Sequence, residues 1–130
     1  MARVLLDTTV LIDALRGRAA VQKIRDLHIQ RDVPLVCGIN IEEVVRGLRP
    51  EERAAADRLL NGLFVAPLGR EQGERAGAWR RDYAGRGITL SQSDCLVAAA
   101  ALGVGARLAT GNPKHFPMRE VAVEHWPVGY

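Results

Sequence analysis

Three short runs in this chain, Val4-Leu5-Leu6, Leu35-Val36-Cys37 and Phe64-Val65-Ala66, contain no polar residue. A strand with one face to water alternates apolar and polar residues. A brief run that is apolar on both faces belongs inside a sheet covered on both sides. Between the runs the spacing turns helical. It predicts a short helix over Val10 to Leu15 ended by Gly17, a second over Ala19 to Gln30 and a third over Ile39 to Leu48. Pro50, with Glu51 and Glu52 behind it, opens a fourth helix that closes at Gly62, the acids suiting a helix N-terminus. Arg70 to Tyr83 reads as a charged amphipathic helix, and Ser91 to Leu102 as one apolar on nearly every side. Arg107-Leu108-Ala109 is then a fourth strand and Val121-Ala122-Val123 a fifth. Strands alternating with helices give an α/β fold: a mostly parallel central sheet of about five strands sandwiched by helices. With 130 residues, no repeats and no linker, residues 1–130 form a single domain.

In such sheets ligands bind in the crevice beyond the carboxyl ends of the strands. Asp7 follows the first strand directly, with Thr8 and Thr9 before the helix. It either caps that helix or faces the crevice. On the third helix, Ile41, Val44, Val45 and Leu48 share the face expected to meet the core. Glu42 lies on the flank with Arg46, in position for an ordinary exposed ion pair. Glu43 lies on the other flank, between Asn40 and Gly47, where small neighbours leave it open to a cleft; Glu43 is therefore preferred. Asp94 heads the Cys95 to Leu102 segment, whose all-round apolarity marks a buried helix, so its carboxylate borders the core. Ser91-Gln92-Ser93-Asp94 also resembles a capping box, which would account for one acid but not for three at the strand ends.

Three converging carboxylates repel one another and need a cation to offset them. A hard divalent ion with oxygen ligands fits, and Mg²⁺ most naturally, because it binds through one or two carboxylates plus water and substrate phosphate. Phosphodiester hydrolysis is the chemistry such an ion serves. Thr110-Gly111-Asn112-Pro113, after the fourth strand, forms a turn that brings Thr110 and Asn112 to the same crevice. His28, His115 and His125 form no recognisable pair, so no catalytic histidine is expected. Cys37 and Cys95 lack metal-type spacing and read as buried free thiols.

The formal net charge is +3, and of 18 basic residues all but Lys23 and Lys114 are arginine. That balance permits a nucleic-acid partner without demanding one. No signal peptide or membrane-length apolar run is visible, so the expected location is the cytoplasm.

Four segments together resemble a known family. Asp7-Thr8-Thr9-Val10-Leu11-Ile12-Asp13 resembles the opening motif of PIN-domain ribonucleases, the VapC-type toxins in particular. Asn40 to Gly47 is similar to their second motif and selects Glu43 independently. Ser93 to Ala100 is similar to the third, an acid opening an alanine-rich helix, and Thr110-Gly111-Asn112 with His115-Phe116 to the fourth. The resemblance implies a PIN-like fold and a Mg²⁺-dependent endoribonuclease, with Mn²⁺ as a substitute. It implies Asp7 and Asp94 as metal ligands, Glu43 binding metal or orienting water, and Thr8 and Thr110 supporting the carboxylates. It further implies an RNA substrate, a cognate VapB-type antitoxin whose tail occupies the cleft, and a homodimer or larger toxin–antitoxin assembly. Many relatives carry aspartate where this chain has Asn112, which points to one metal rather than two.

Two other readings fit less well. A phospho-receiver wants an acid after its third strand, where Pro67-Leu68-Gly69 stands, and an aspartate-nucleophile phosphatase wants a second Asp at Thr9. A non-catalytic RNA- or antitoxin-binding relative would have no need of all three acids.

Overall fold

In the computed structural model, which describes residues 1–129, strands and helices alternate along the chain. The order is β1 (Arg3–Leu6), α1 (Thr8–Leu15), α2 (Ala20–Ile29), β2 (Val33–Cys37), α3 (Gly38–Arg46), α4 (Arg53–Asn61), β3 (Phe64–Ala66), α5 (Arg70–Ala84), α6 (Gln92–Gly103), β4 (Arg107–Thr110) and β5 (Val123–His125). A 3₁₀ turn at Pro50–Glu52 leads into α4 and another at Pro113–His115 follows β4. All strand pairings are parallel, in the order β3-β2-β1-β4-β5.

The pleat divides the core in two. Leu5, Leu35, Cys37 and Leu108 join α5 and α6 on one face, around Trp79, Tyr83 and Val97. Val4, Leu6, Val36 and Ala109 join α1 and α2 on the other, around Val10, Leu11, Ile24 and Leu27. Strands β1 and β2 thus bury both faces, which is why the Val4-Leu5-Leu6 and Leu35-Val36-Cys37 runs carry no polar residue. In α6, Ala98, Ala100 and Ala101 are fully buried, and side chains that small let the helix lie close to its neighbours. Full burial of a Leu or Val side chain contributes roughly 1.5–3 kcal/mol. Leu5, Leu6, Leu11 and Leu108, all without exposed surface, therefore clamp the ends of β1 and β4 firmly.

Four expectations need correcting or resolving. β5 is Val123–His125 rather than Val121 to Val123; Val123 pairs with Leu108 and His125 with Thr110. Val121 is buried, but in a turn closed by its N–H on Met118 O. An edge strand accepts polar residues, here Glu124, which pairs with Arg107 at 2.6 Å. Helix α1 begins at Thr8, so both threonines lie in its first turn. Val45 is 40% exposed, because α3 centres its buried face on Asn40 and Val44, which face the α1 junction. Strand β3 lies at the sheet edge with Phe64 and Val65 exposed, so its apolar run is not covered on both faces as expected; the nearby Leu63 is buried, with Leu59 and Leu60 beside it. Both cysteines are buried and free, as their setting predicts.

Candidate active site

Strand β1 is the switch point of the sheet: the chain leaves it towards β2 on one side and returns through β4 on the other. The carboxyl ends of β1 and β4 are tied by the Asp7 N–H donating to Ala109 O at 2.9 Å. Asp7 stands at the N-cap position of α1, yet its side chain makes no cap hydrogen bond. Instead Oδ2 accepts from the buried Thr110 hydroxyl at 2.7 Å and from Thr9 at 3.2 Å. Thr9 Oγ1 in turn accepts the Gly111 N–H at 3.0 Å, and Thr110 Oγ1 accepts the Asn112 N–H at 3.0 Å. The carboxylate is therefore held by the turn after β4 rather than spent on a helix end. Asn112 itself is exposed, and its contact with this network is through the backbone.

Glu43 joins from the other side of β1. Its Oε1 accepts the Thr8 hydroxyl at 2.7 Å, while Glu42 pairs with Arg46 at 3.3 Å on the exposed flank. The helical argument separating the two glutamates is thereby met. Asn40, taken from the sequence only as a small neighbour, is fully buried and donates to Thr8 Oγ1 at 3.2 Å. A signal existed: a lone amide on the apolar side of a helix must be hydrogen-bonded, and so must have a partner.

Asp94 lies in the first turn of α6, where Ser91 caps the helix by accepting the Asp94 N–H at 3.1 Å. The Asp94 carboxyl does not reciprocate; it stays about a quarter exposed, with Oδ2 3.5 Å from His115 Nδ1. That histidine comes from the 3₁₀ turn after β4 and joins the site without having been expected there. Its position follows from the turn geometry, anchored where Phe116 is buried and the Tyr83 hydroxyl donates to Pro117 O at 3.0 Å.

Burial is the main force on Asp7 and raises its pKa above the ordinary 3.8; the charge of Asp94 adds to the rise, while Thr110, the Thr8 backbone and Thr9 oppose it. The Cys37 thiol is likewise pushed up, mainly by burial, with Asp7 and Glu43 adding to the rise. The charge of Asp94 thus bears on Asp7, and the charges of Asp7 and Glu43 both bear on Cys37; a cation beside these acids would relieve the repulsion. Among the described residues no three His, Cys, Asp or Glu side chains are arranged to grip one ion directly. Open spacing with hard oxygen donors fits a small ion that takes one or two carboxylates and keeps water. It does not fit a closed thiolate or imidazole cage.

Residues 4–123 match the PIN domain family. This chain belongs to the PIN domain family. Among curated relatives of this PIN domain, Ribonuclease VapC10 of Mycobacterium tuberculosis is 36% identical over 120 residues, covering 90% of this chain and 88% of the relative. Ribonuclease VapC19 of the same organism is 29% identical over 115 residues, covering 88% of this chain and 92% of the relative. Among solved structures, VapBC2 from Rickettsia felis, bound to a DNA fragment from its promoter, matches with a TM-score of 0.83 at 19% identity, covering 95% of this chain and 98% of that one. DNA-bound VapBC from Salmonella typhimurium matches at 0.82 and 22%, covering 97% and 99%. At those identities the structural matches speak for the fold alone. Among the described residues, the all-parallel five-stranded sheet with six helices is the VapC-type PIN architecture.

Proposed function

We propose that this PIN domain is the toxin of a toxin–antitoxin pair, a Mg²⁺-dependent endoribonuclease that hydrolyses RNA phosphodiester bonds at Asp7, Glu43 and Asp94. The observation that carries the reading is the engagement of Asp7: a buried carboxylate, held by Thr110 and raised in pKa, beside a second acid at the switch point. The relatives called ribonucleases support the same reaction class. Asp7 and Asp94 would hold the ion, with Glu43 completing the acidic rim. When bound, Mg²⁺ supplies positive charge against the carboxylates and against the charge that builds on phosphate oxygens.

The chain's own groups do the rest. Thr110 and Thr9 keep the Asp7 carboxylate in one orientation, so little reorganisation accompanies the reaction. Glu43, with Oε1 committed to Thr8, keeps Oε2 to orient a water and take its proton as the new P–O bond forms and the scissile P–O bond breaks, the leaving ribose oxygen taking a proton from solvent. A surplus of arginine suits a polyanionic substrate. That substrate puts the enzyme in the cytoplasm; among the described residues no helix is long and apolar enough to cross a membrane. The reading includes a VapB-type antitoxin that inhibits by filling the cleft, and self-association of the toxin. Phe64 and Val65 on edge strand β3, 66% and 58% exposed, offer apolar surface of the kind such contacts cover.

The test is cleavage of a panel of structured and single-stranded RNAs with Mg²⁺, with EDTA, and by Asp94→Asn. Cleavage is expected only with metal and intact Asp94. Cleavage persisting in EDTA or in the variant would overturn the metal mechanism.

A further inference from the structure

We infer that Asn40 is a positioning residue for Glu43, acting through the Thr8 hydroxyl; the inference rests on reading this site as a nuclease. Asn40 has no exposed surface, so each polar atom of its amide needs a protein partner. Its Oδ1 accepts the Cys37 N–H at 3.0 Å and lies 3.3 Å from the Cys37 thiol. A backbone N–H can only donate, which fixes that side of the amide as the oxygen. Nδ2 therefore faces Thr8 and donates to Oγ1 at 3.2 Å. A hydroxyl has one proton. With Nδ2 filling a lone pair of Thr8, that proton goes to Glu43 Oε1 at 2.7 Å, a well-formed O–H···O separation.

The direction of every bond in this relay is thus set at its buried end, by the β2–α3 junction. Because Thr8 follows Asp7 in the chain, the relay also ties the Glu43 carboxylate to the backbone that carries Asp7. Asn40→Asp changes almost no volume and keeps the acceptor for Cys37, but it replaces the donor with a second acceptor. Thr8 then turns its proton towards the new carboxylate and away from Glu43. Thr8→Val removes the hydroxyl altogether, and Thr8→Ser restores it.

The experiment combines kinetics on a cleaved RNA with ¹³C NMR of the glutamate carboxyls, the Glu43 resonance being assigned with Glu43→Gln. Asn40→Asp and Thr8→Val should each lower kcat by about 10- to 100-fold, the range for a misplaced catalytic group, with KM little changed. Both should shift the Glu43 resonance. Thr8→Ser should recover most of the kcat lost in Thr8→Val and return the resonance. The double variant should be no slower than the worse single one, because without the hydroxyl Asn40 has nothing left to orient. Wild-type kcat and an unmoved resonance in Asn40→Asp, or additive losses in the double variant, would overturn the proposal. Should Asn40→Asp fail to fold, an unmoved resonance in Thr8→Val would overturn it equally. A wild-type protein that cuts no RNA would count against the nuclease reading, while the NMR arm still decides the relay.

Discussion

Thr110→Val separates the stability of the site from its chemistry. The change keeps the side-chain shape and removes one hydroxyl from a fully buried position. That hydroxyl donates to Asp7 Oδ2 at 2.7 Å and accepts the Asn112 N–H at 3.0 Å. A hydrogen bond to a charged group contributes about 1.5–3 kcal/mol. Asn112 is exposed, so water takes over its N–H, and the added methyl offsets part of the loss. A net destabilisation of about 2 kcal/mol follows at neutral pH. With a urea slope of about 2 kcal/mol/M, the unfolding midpoint should fall by about 1 M.

The loss should also depend on pH, with a definite sign. The folded pKa of Asp7 already lies above 3.8 because of burial, and the Thr110 bond opposes that rise. Removing the bond raises the folded pKa further. The variant then binds a proton at a pH where the wild type has released it, so its stability declines more steeply with rising pH. The gap between the two proteins should be widest near neutrality and narrow on acidification below the folded pKa of Asp7, where Asp7 is protonated in both. Urea unfolding in EDTA at the two pH values measures it. A midpoint shift under about 0.3 M, or a gap that stays constant with pH, would refute the argument.

Asp7→Asn should abolish RNA cleavage yet raise stability in EDTA near neutral pH, since it removes a charge whose burial is unfavourable. The gain should vanish on acidification, and thermal unfolding across pH reads it directly. Glu42→Gln should leave cleavage unchanged and cost no more than about 0.5 kcal/mol, because its pair with Arg46 is exposed. Glu43→Gln should lower kcat by about 100-fold or more. Gly111→Ala would place a Cβ 2.8 and 2.9 Å from the Val128 methyls and 3.3 Å from Thr9 Oγ1, costing about 1–3 kcal/mol of overpacking. Chemical denaturation should show most of that loss recovered by adding Val128→Ala; no recovery would mean that Thr9, not Val128, sets the limit.

Much of this protein was legible in its linear pattern. Doubly apolar runs placed β1 and β2, because strands buried on both faces leave no room for polar side chains; the same pattern marked β3, although Phe64 and Val65 lie exposed at the sheet edge. The same logic exposed α6, whose all-apolar body has nowhere to go but the interior, and brought Asp94 to the edge of the core. Helical spacing parted Glu43 from Glu42, since the two lie 100° apart on one turn. Composition and motif spacing alone thus determined the fold class and the family resemblance, and singled out Asp7, Glu43 and Asp94 as the candidate acids. What they could not decide depends on distance through space. Val121 is apolar and buried, yet it sits in a turn, because β5 was settled by its ladder with β4 and not by hydropathy. His115 reached Asp94, and Thr110 reached Asp7 across 103 residues, only when the parallel sheet set β4 beside β1. Asn40 shows the division most plainly: its residue type announced a need for partners, and the neighbouring Cys37 N–H met one side, but only the packing of α3 against the start of α1 supplied Thr8 for the other. Periodicity reports which face of an element is buried; which polar groups meet across the buried faces is fixed by tertiary contact.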